Sequence, residues 1–284
     1  MTPSSGQDFQ PLFDGRTLVG WFAVPRTYGT AWPGGPTVRE LLPDLPADYE
    51  ANAAAHPAHW IVANGVIEGF QDPAKPGYGG YLVSEKAFGD FELRLEMNPD
   101  WPADTGVMIH RRPDTWEGIQ ILVDHRRSGS IGGFYGNGLG GFHAVPFNLD
   151  VAYDADGRPV RLIEEDPATT VEPITPEKLA LLTRRGNAAD FLAKWRFGDW
   201  NALRIRCVGG ALPTITTWVN DILVAEIDLA TMRHPRVDRD AVAKTLGESG
   251  RIAFEVHDND PQMRDARWAP GARCRWRSIE IREL

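Results

Sequence analysis

The sequence contains little cysteine, which excludes a small protein held together by disulfides and a zinc finger. Only Cys207 and Cys274 occur among 284 residues, far apart and in stretches with the pattern of β-strands. Two such residues do not make a disulfide framework, and no Cys or His cluster has the spacing of a zinc finger. We therefore expect two buried thiols rather than a structural disulfide.

Long apolar runs and an excess of positive charge are also missing. No segment approaches the ~20 apolar residues of a membrane span, and the first nine residues lack the basic start and apolar run of a signal peptide. This predicts a cytoplasmic protein, or an extracytoplasmic one if a signal peptide has been removed. The net charge of −9 disfavours nucleic acid and an anionic membrane surface as partners.

The dominant pattern is an alternation of apolar and polar residues, which is typical of half-buried antiparallel strands. In the segment 119–124, for example, three apolar residues share one face, opposite Gln120, Leu122 and Asp124. Glycine and proline, at 29 and 22 residues, separate such segments. We expect an all-β sandwich of two antiparallel sheets. The predicted strands are 91–97, 106–112, 119–124, 203–208, 214–219, 252–257 and 274–281.

Two segments break this alternation and are interpreted as insertions with short helices on a single domain spanning 1–284. They are residues 24–59, with a helix near 47–55, and residues 151–199, with helices over 175–186 and 188–194. Thr175 can cap its helix, Pro176 suits the first helical position and Gly186 can end it. We expect the second insertion to lie outside the sandwich and to carry most of the helix.

Short segments in a fixed order resemble the 3-keto-disaccharide hydrolase domain family. The segments that carry the resemblance are 11–21, 60–69, 88–96, 105–110, 200–201, 218–220, 250–257 and 276–284. Their order extends over nearly the whole chain, with the two insertions outside it. The resemblance implies a concanavalin A-like lectin/glucanase jelly roll that acts on glycosides whose sugar carries a ketone at carbon 3.

Such a ketone would set the chemistry, because it acidifies the hydrogen on carbon 2. A base can then remove that hydrogen, the aglycone can leave carbon 1 by β-elimination, and addition of water gives a net hydrolysis. The site needs one base, one acid for the leaving oxygen, and donors or a metal for the enolate. No cofactor is certain from the sequence, and a divalent metal is possible.

The candidate site residues come from the polar faces of the predicted strands. The candidate catalytic residues are His257, His110, Asp124 and Glu255, since histidine titrates near neutrality and binds metals readily. The expected substrate-binding residues are Glu92, Arg94, Glu96, Arg112, Gln120, Tyr135, Asn137 and His143. If these strands are neighbours in one sheet, their polar faces line one cleft that holds a sugar.

The glycine-rich stretch 128–141 lacks the Gly-Lys-Ser/Thr ending of a phosphate-binding loop, and no helix follows it. We interpret it as a flexible loop over the cleft. From such a loop Tyr135, Asn137 and His143 could reach a sugar.

Two other functions stay open at this point. The same sandwich serves lectins, so the chain could be a carbohydrate-binding module without catalysis. A glucanase is the third interpretation, although the sequence has no Glu-x-Asp-x-Glu strand and a glycosidase needs two carboxylates flanking the bond. For any single polar residue, an ion pair on a solvated strand face is the simpler explanation.

Overall fold

A computed structural model describes residues 8–113 and 115–284, which form short helices and many strands. The first strands are β1 (Gln10–Pro11), β2 (Trp21–Pro25), β3 (His59–Ala63), β4 (Val66–Phe70), β5 (Gly80–Phe88), β6 (Phe91–Pro99), β7 (Ala103–Arg111), β8 (Gly118–His125) and β9 (Ile131–Asn137). They are followed by β10 (His143–Ala144), β11 (Leu149–Tyr153), β12 (Pro159–Glu164), β13 (Arg184–Arg185), β14 (Asn201–Val208), β15 (Thr214–Val219), β16 (Ile222–Asp228), β17 (Gly250–Val256) and β18 (Cys274–Glu283). The helices are α1 (Val38–Leu41), α2 (Tyr49–Ala55), α3 (Pro176–Ala180), α4 (Ala188–Leu192) and α5 (Arg239–Leu246), with a 3₁₀ turn at Arg264–Ala266.

Two antiparallel sheets make up the sandwich. The nine-stranded sheet has the order β13-β16-β15-β14-β6-β18-β4-β3, with β1 paired to β18, and the seven-stranded sheet has the order β10-β9-β8-β7-β17-β5-β2. A separate hairpin joins β11 to β12. This architecture confirms the expected all-β jelly-roll sandwich with short helical insertions, and each of the seven predicted strands is present.

Alternation along the strands separates the core from the outer faces. In β8 the side chains of Ile119, Ile121 and Val123 are fully buried in the core between the sheets. Each such side chain stabilises the fold by about 1.5–3 kcal/mol relative to an exposed position. The residues between them therefore lie on the outer face of the seven-stranded sheet.

The second insertion is less helical than expected. Thr175 caps α3, accepting a hydrogen bond from the Lys178 backbone N–H over 3.3 Å, but the helix ends at Ala180 because the chain then enters the edge strand β13. The longest helix, α5, lies elsewhere. The expectation that residues 151–199 carry most of the helix is therefore wrong.

No helix in the described part of the chain is long and apolar enough to cross a membrane.

The glycine-rich stretch is a strand for half of its length, so its interpretation as a flexible loop is wrong. Residues 131–137 form β9, which pairs with both β8 and β10. A side chain at Gly136 would meet the Phe142 ring at 2.3 Å. Glycine is needed at this position because the ring packs directly on the backbone, not because the chain must move.

The two cysteines should behave as unpaired, protected thiols. Both are free and buried, and burial raises the pKa of each thiol. We expect no alkylation by a maleimide in the native protein and two labels per chain after unfolding without reductant, as counted by mass spectrometry. Fewer than two labels after unfolding would contradict this assignment.

Candidate functional site

A cleft of about 640 Å³ lies over the outer face of the seven-stranded sheet. This volume is within the roughly 300–1,000 Å³ of typical small-molecule sites. Its floor comes from β7, β8 and β9, and its walls come from the first insertion and from the loops that follow β16 and β17. The predicted site residues that line it are His257, Asp124, Gln120, Tyr135, Asn137 and His143. Their roles stay predictions.

Three predicted binding residues lie on the opposite side of the molecule. Glu92, Arg94 and Glu96 belong to β6, a strand of the nine-stranded sheet. There they pair with arginine and glutamate of β18, as in the 2.6 Å contact between Arg94 and Glu280. Placing them in the cleft is wrong, because alternation distinguishes inner from outer faces but not one sheet from the other.

His110 and Arg112 also lie outside the cleft, which corrects two further predictions. His110 has a φ of 47°, and the pairing of β17 with β7 shifts register nearby. This bulge interrupts the alternation, so the His110 ring is buried beside the end of α5, where desolvation lowers its pKa. Arg112 follows the bulge and is exposed.

Glu255 lies beneath the floor of the cleft and is fully buried. Its carboxylate accepts a hydrogen bond from Arg26 Nε at 2.7 Å and one from Gln120 Nε2 at 2.5 Å. A carboxylate held this way positions its neighbours and does not line the cleft. Its predicted role as a catalytic group therefore loses its geometric basis.

Arg26 joins the first insertion to β17 and is a residue that the sequence analysis missed. Besides Glu255, its guanidinium contacts Asp258 at 2.7 Å and His257 at 3.0 Å. Burial alone would raise the pKa of Asp258, but the charge of Arg26 is among the effects that hold it well below its usual range. Asp258 is therefore an ionised acceptor inside the protein.

Two tyrosines complete the surroundings of Asp258. Tyr28 and Tyr49 donate hydrogen bonds to its carboxylate over 2.9 and 3.0 Å. Burial raises the pKa of both phenols, so they stay protonated and keep donating. The two rings stack with centroids 5.4 Å apart, and their hydrogen bonds to Asp258 tie the insertion to the loop that follows β17.

The hydrogen bonds of His257 fix its tautomer. Nδ1 lies 2.8 Å from the carbonyl oxygen of Asp258, which can only accept, so Nδ1 carries a proton. Nε2 lies 3.0 Å from the guanidinium of Arg26, which can only donate, so Nε2 carries a lone pair. The ring is thus a neutral imidazole with its basic nitrogen identified.

Two aspartates face each other across β7 and β8 with opposite protonation. Burial, together with the negative charge of Asp104, raises the pKa of Asp124 well above its usual value. Burial also acts to raise the pKa of Asp104, but the charges of Arg126 and Arg267 are among the effects that hold it well below its usual value. The pair therefore consists of a protonated Asp124 and an ionised Asp104. Oδ1 of Asp124 has no hydrogen-bond partner among the described residues.

Two arginines hold this acidic pair in place. Arg126 contacts Asp104 at 2.6 Å and Glu172 at 3.2 Å, and Arg267 bridges Asp104 and Asp260. All five residues line the cleft. In the sequence Arg126 stands in a polar run, residues 124–127. The other four residues have no local sequence signal, because their partners are distant in the chain. The described residues contain no group of three His, Cys, Asp or Glu that could hold a metal ion.

Comparison with known families decides the assignment. A model of the 3-keto-alpha-glucoside-1,2-lyase-like domain matches residues 8–282. The chain belongs to this family. No curated protein matches the chain.

Several solved structures are similar at low sequence identity. A suspected glycosyl hydrolase of Parabacteroides distasonis is 13% identical, with 97% of this chain and 94% of that chain covered and a TM-score of 0.47. The carbohydrate-binding module CBM66 of Bacillus subtilis is 12% identical, with 80% and 92% covered and a TM-score of 0.41. A lichenase from a mouse hindgut metagenome is 10% identical, with 79% and 82% covered and a TM-score of 0.36.

The raised pKa of Asp124 predicts a pH-dependent effect of Asp124→Asn on stability. The folded protein keeps a proton that the unfolded chain releases near pH 3.9, so the wild type loses stability as the pH rises toward the folded-state pKa. The variant cannot ionise. We expect its melting temperature to exceed that of the wild type by a margin that is smallest near pH 4 and grows with pH.

Differential scanning fluorimetry from pH 4 to 9 measures this margin. Asp221→Asn, at an exposed aspartate, is the matched control, and its margin should not follow the same trend. A margin for Asp124→Asn that shrinks as the pH rises would show that Asp124 is ionised in the folded protein.

Proposed function

We propose that this protein cleaves 3-keto-glycosides by elimination across carbons 1 and 2, followed by addition of water. The observation that carries the proposal is that one cleft holds both a histidine whose Nε2 faces a donor and a buried carboxyl whose pKa is raised. His257 follows β17 and Asp124 is the penultimate residue of β8, on either side of Asp104 in β7. Two strand spacings, roughly 10 Å between backbones, separate them, which leaves room for a sugar ring.

His257 is the proposed base. Its Nε2 lone pair accepts a hydrogen bond from Arg26 in the absence of substrate. Once that hydrogen bond is released, Nε2 takes the proton from carbon 2, which the ketone has acidified. The electron pair of the broken C2–H bond becomes the enolate. Nδ1–H of His257 donates a hydrogen bond to the backbone carbonyl of Asp258 and lies 2.9 Å from the carboxylate of the same residue. Because that carboxylate is held ionised, it steadies the imidazolium that forms.

Asp124 is the proposed acid. When the enolate collapses, the C1–O bond breaks, a C1–C2 double bond forms, and the leaving oxygen takes the proton of Asp124. Enzymes often obtain an acid and a base at one pH by placing two titratable groups in environments that shift their pKa values in opposite directions. Water then adds to the unsaturated ketone to give the free 3-keto sugar, so no oxidant or reductant is consumed.

The enolate oxygen requires positive partners in the cleft. Arg126 and Arg267 line it and are nearly buried, with 2% and 13% of their side chains exposed. Preorganised charges in a site with little water stabilise developing negative charge strongly. Asp104 fixes both guanidinium groups and is itself neutralised by them, which makes it a poor nucleophile and disfavours a glycosidase with two free carboxylates.

Turnover of a 3-keto-disaccharide should depend on His257 and not on His110. Loss of an acid–base group costs about a hundred- to ten-thousand-fold in rate, so we expect His257→Ala to lower kcat by at least two orders of magnitude. His110→Asn is the matched control, because asparagine tolerates the left-handed backbone at that position. Its kcat should stay near the wild-type value.

The kcat values of His257→Ala and His110→Asn are measured with purified protein, by chromatographic detection of the released 3-keto sugar. Chelator in a parallel reaction tests the possible metal. Wild-type turnover by His257→Ala would remove this residue from the mechanism. Binding of the sugar without any cleavage by the wild type would favour a carbohydrate-binding module instead.

A further inference from the structure

One wall of the cleft differs in chemistry from the rest. The floor and the side formed by the loop after β17 carry most of the charged side chains described above, whereas α1 and the turn after it present Val38, Leu41, Leu42 and Pro43 to the same space. Leu41 is 47% exposed. We call these four residues the apolar wall.

The apolar wall is a defined surface and not a frayed loop. Thr37 and Glu40 form a reciprocal capping box that fixes the start of α1. Arg39, on the same short helix, bonds Glu50 of α2 through Nε at 2.9 Å. The position of α1 is therefore set by polar contacts on one side, while its apolar side chains face the cleft.

We propose that the apolar wall binds the leaving group, and that the natural aglycone is an apolar alcohol or phenol rather than a second sugar. This inference rests on the proposed function. The charged part of the cleft suits the hydroxyls and ketone of the oxidised sugar, because buried polar groups need partners. The apolar wall suits a leaving group that has no polar atoms in need of hydrogen-bond partners.

A second sugar would be poorly matched to this wall. Its hydroxyls would lose water against four aliphatic side chains, and buried polar groups without partners are unfavourable. Asp44, which follows the wall, is exposed and lies in water at the rim.

Isolated exposed apolar residues are ordinary on protein surfaces, and Ile61 on β3 is such a residue, with 41% of its surface exposed. The apolar wall differs because its members are close together and line a concave site. Half-buried Trp32 adds an aromatic face to the same cleft. Burial of an aglycone here would remove apolar surface on both partners from water.

The test compares two 3-keto-glucosides that share the sugar and the anomeric configuration. One releases benzyl alcohol and the other releases glucose. For Leu41→Ser we expect the ratio of kcat/KM, benzyl over glucose leaving group, to fall about tenfold or more, since each lost hydrophobic contact costs about 10- to 200-fold in discrimination. The two leaving groups differ in intrinsic reactivity. That difference cancels when the kcat/KM ratio of the variant is compared with the ratio of the wild type. Ile61→Ser is the matched control and should leave the ratio at the wild-type value.

A second measurement separates this inference from the proposed function. Unoxidised benzyl glucoside has no ketone and cannot react by elimination, so calorimetry can compare its binding to wild type, Leu41→Ser and Ile61→Ser. Weaker binding to Leu41→Ser alone supports the apolar wall even if no 3-keto-glucoside is cleaved, which would overturn only the proposed function. An unchanged kcat/KM ratio in Leu41→Ser, or equal binding to all three proteins, overturns the inference about the wall.

Discussion

The buried guanidinium of Arg26 is the contact on which the fold at the cleft and the proposed chemistry both depend. It neutralises Glu255 and Asp258, two carboxylates that have lost their contact with water. Removing one partner of such a buried pair costs about 3–5 kcal/mol. The same group donates to Nε2 of His257 and so fixes the orientation of the ring, and this hydrogen bond must be released before Nε2 can act as the proposed base.

The sequence was sufficient to predict the main strands and to place some of the polar residues that line the cleft. Alternation in 119–124 placed Gln120 and Asp124 correctly on the outer face because β8 pairs with β7 without a register shift along that stretch. Alternation does not indicate which of the two sheets a strand belongs to. Glu92 was therefore predicted to line the cleft, although it lies on the nine-stranded sheet. The prediction also assumed a regular strand at His110, where a positive φ turns the chain.

The remaining site residues depend on contacts that only the folded chain brings together. Arg26 and Asp258 are 232 positions apart in the sequence, and Arg267 and Asp104 are 163 apart. The environments that set the protonation of Asp124 come from the same long-range contacts. Residue type alone could nominate Asp124 as a candidate site residue, but could not indicate its raised pKa.

The position of α1 between its anchors has an evolutionary consequence. Arg26 and Tyr28 hold the insertion before this helix, and Tyr49 holds it afterwards. The stretch between these anchors can change in length or sequence while the groups of the proposed proton transfer stay fixed. Related chains could therefore diversify by exchanging this one segment, much as antibodies vary their loops on a constant framework, and acquire new leaving groups without rebuilding the reaction centre.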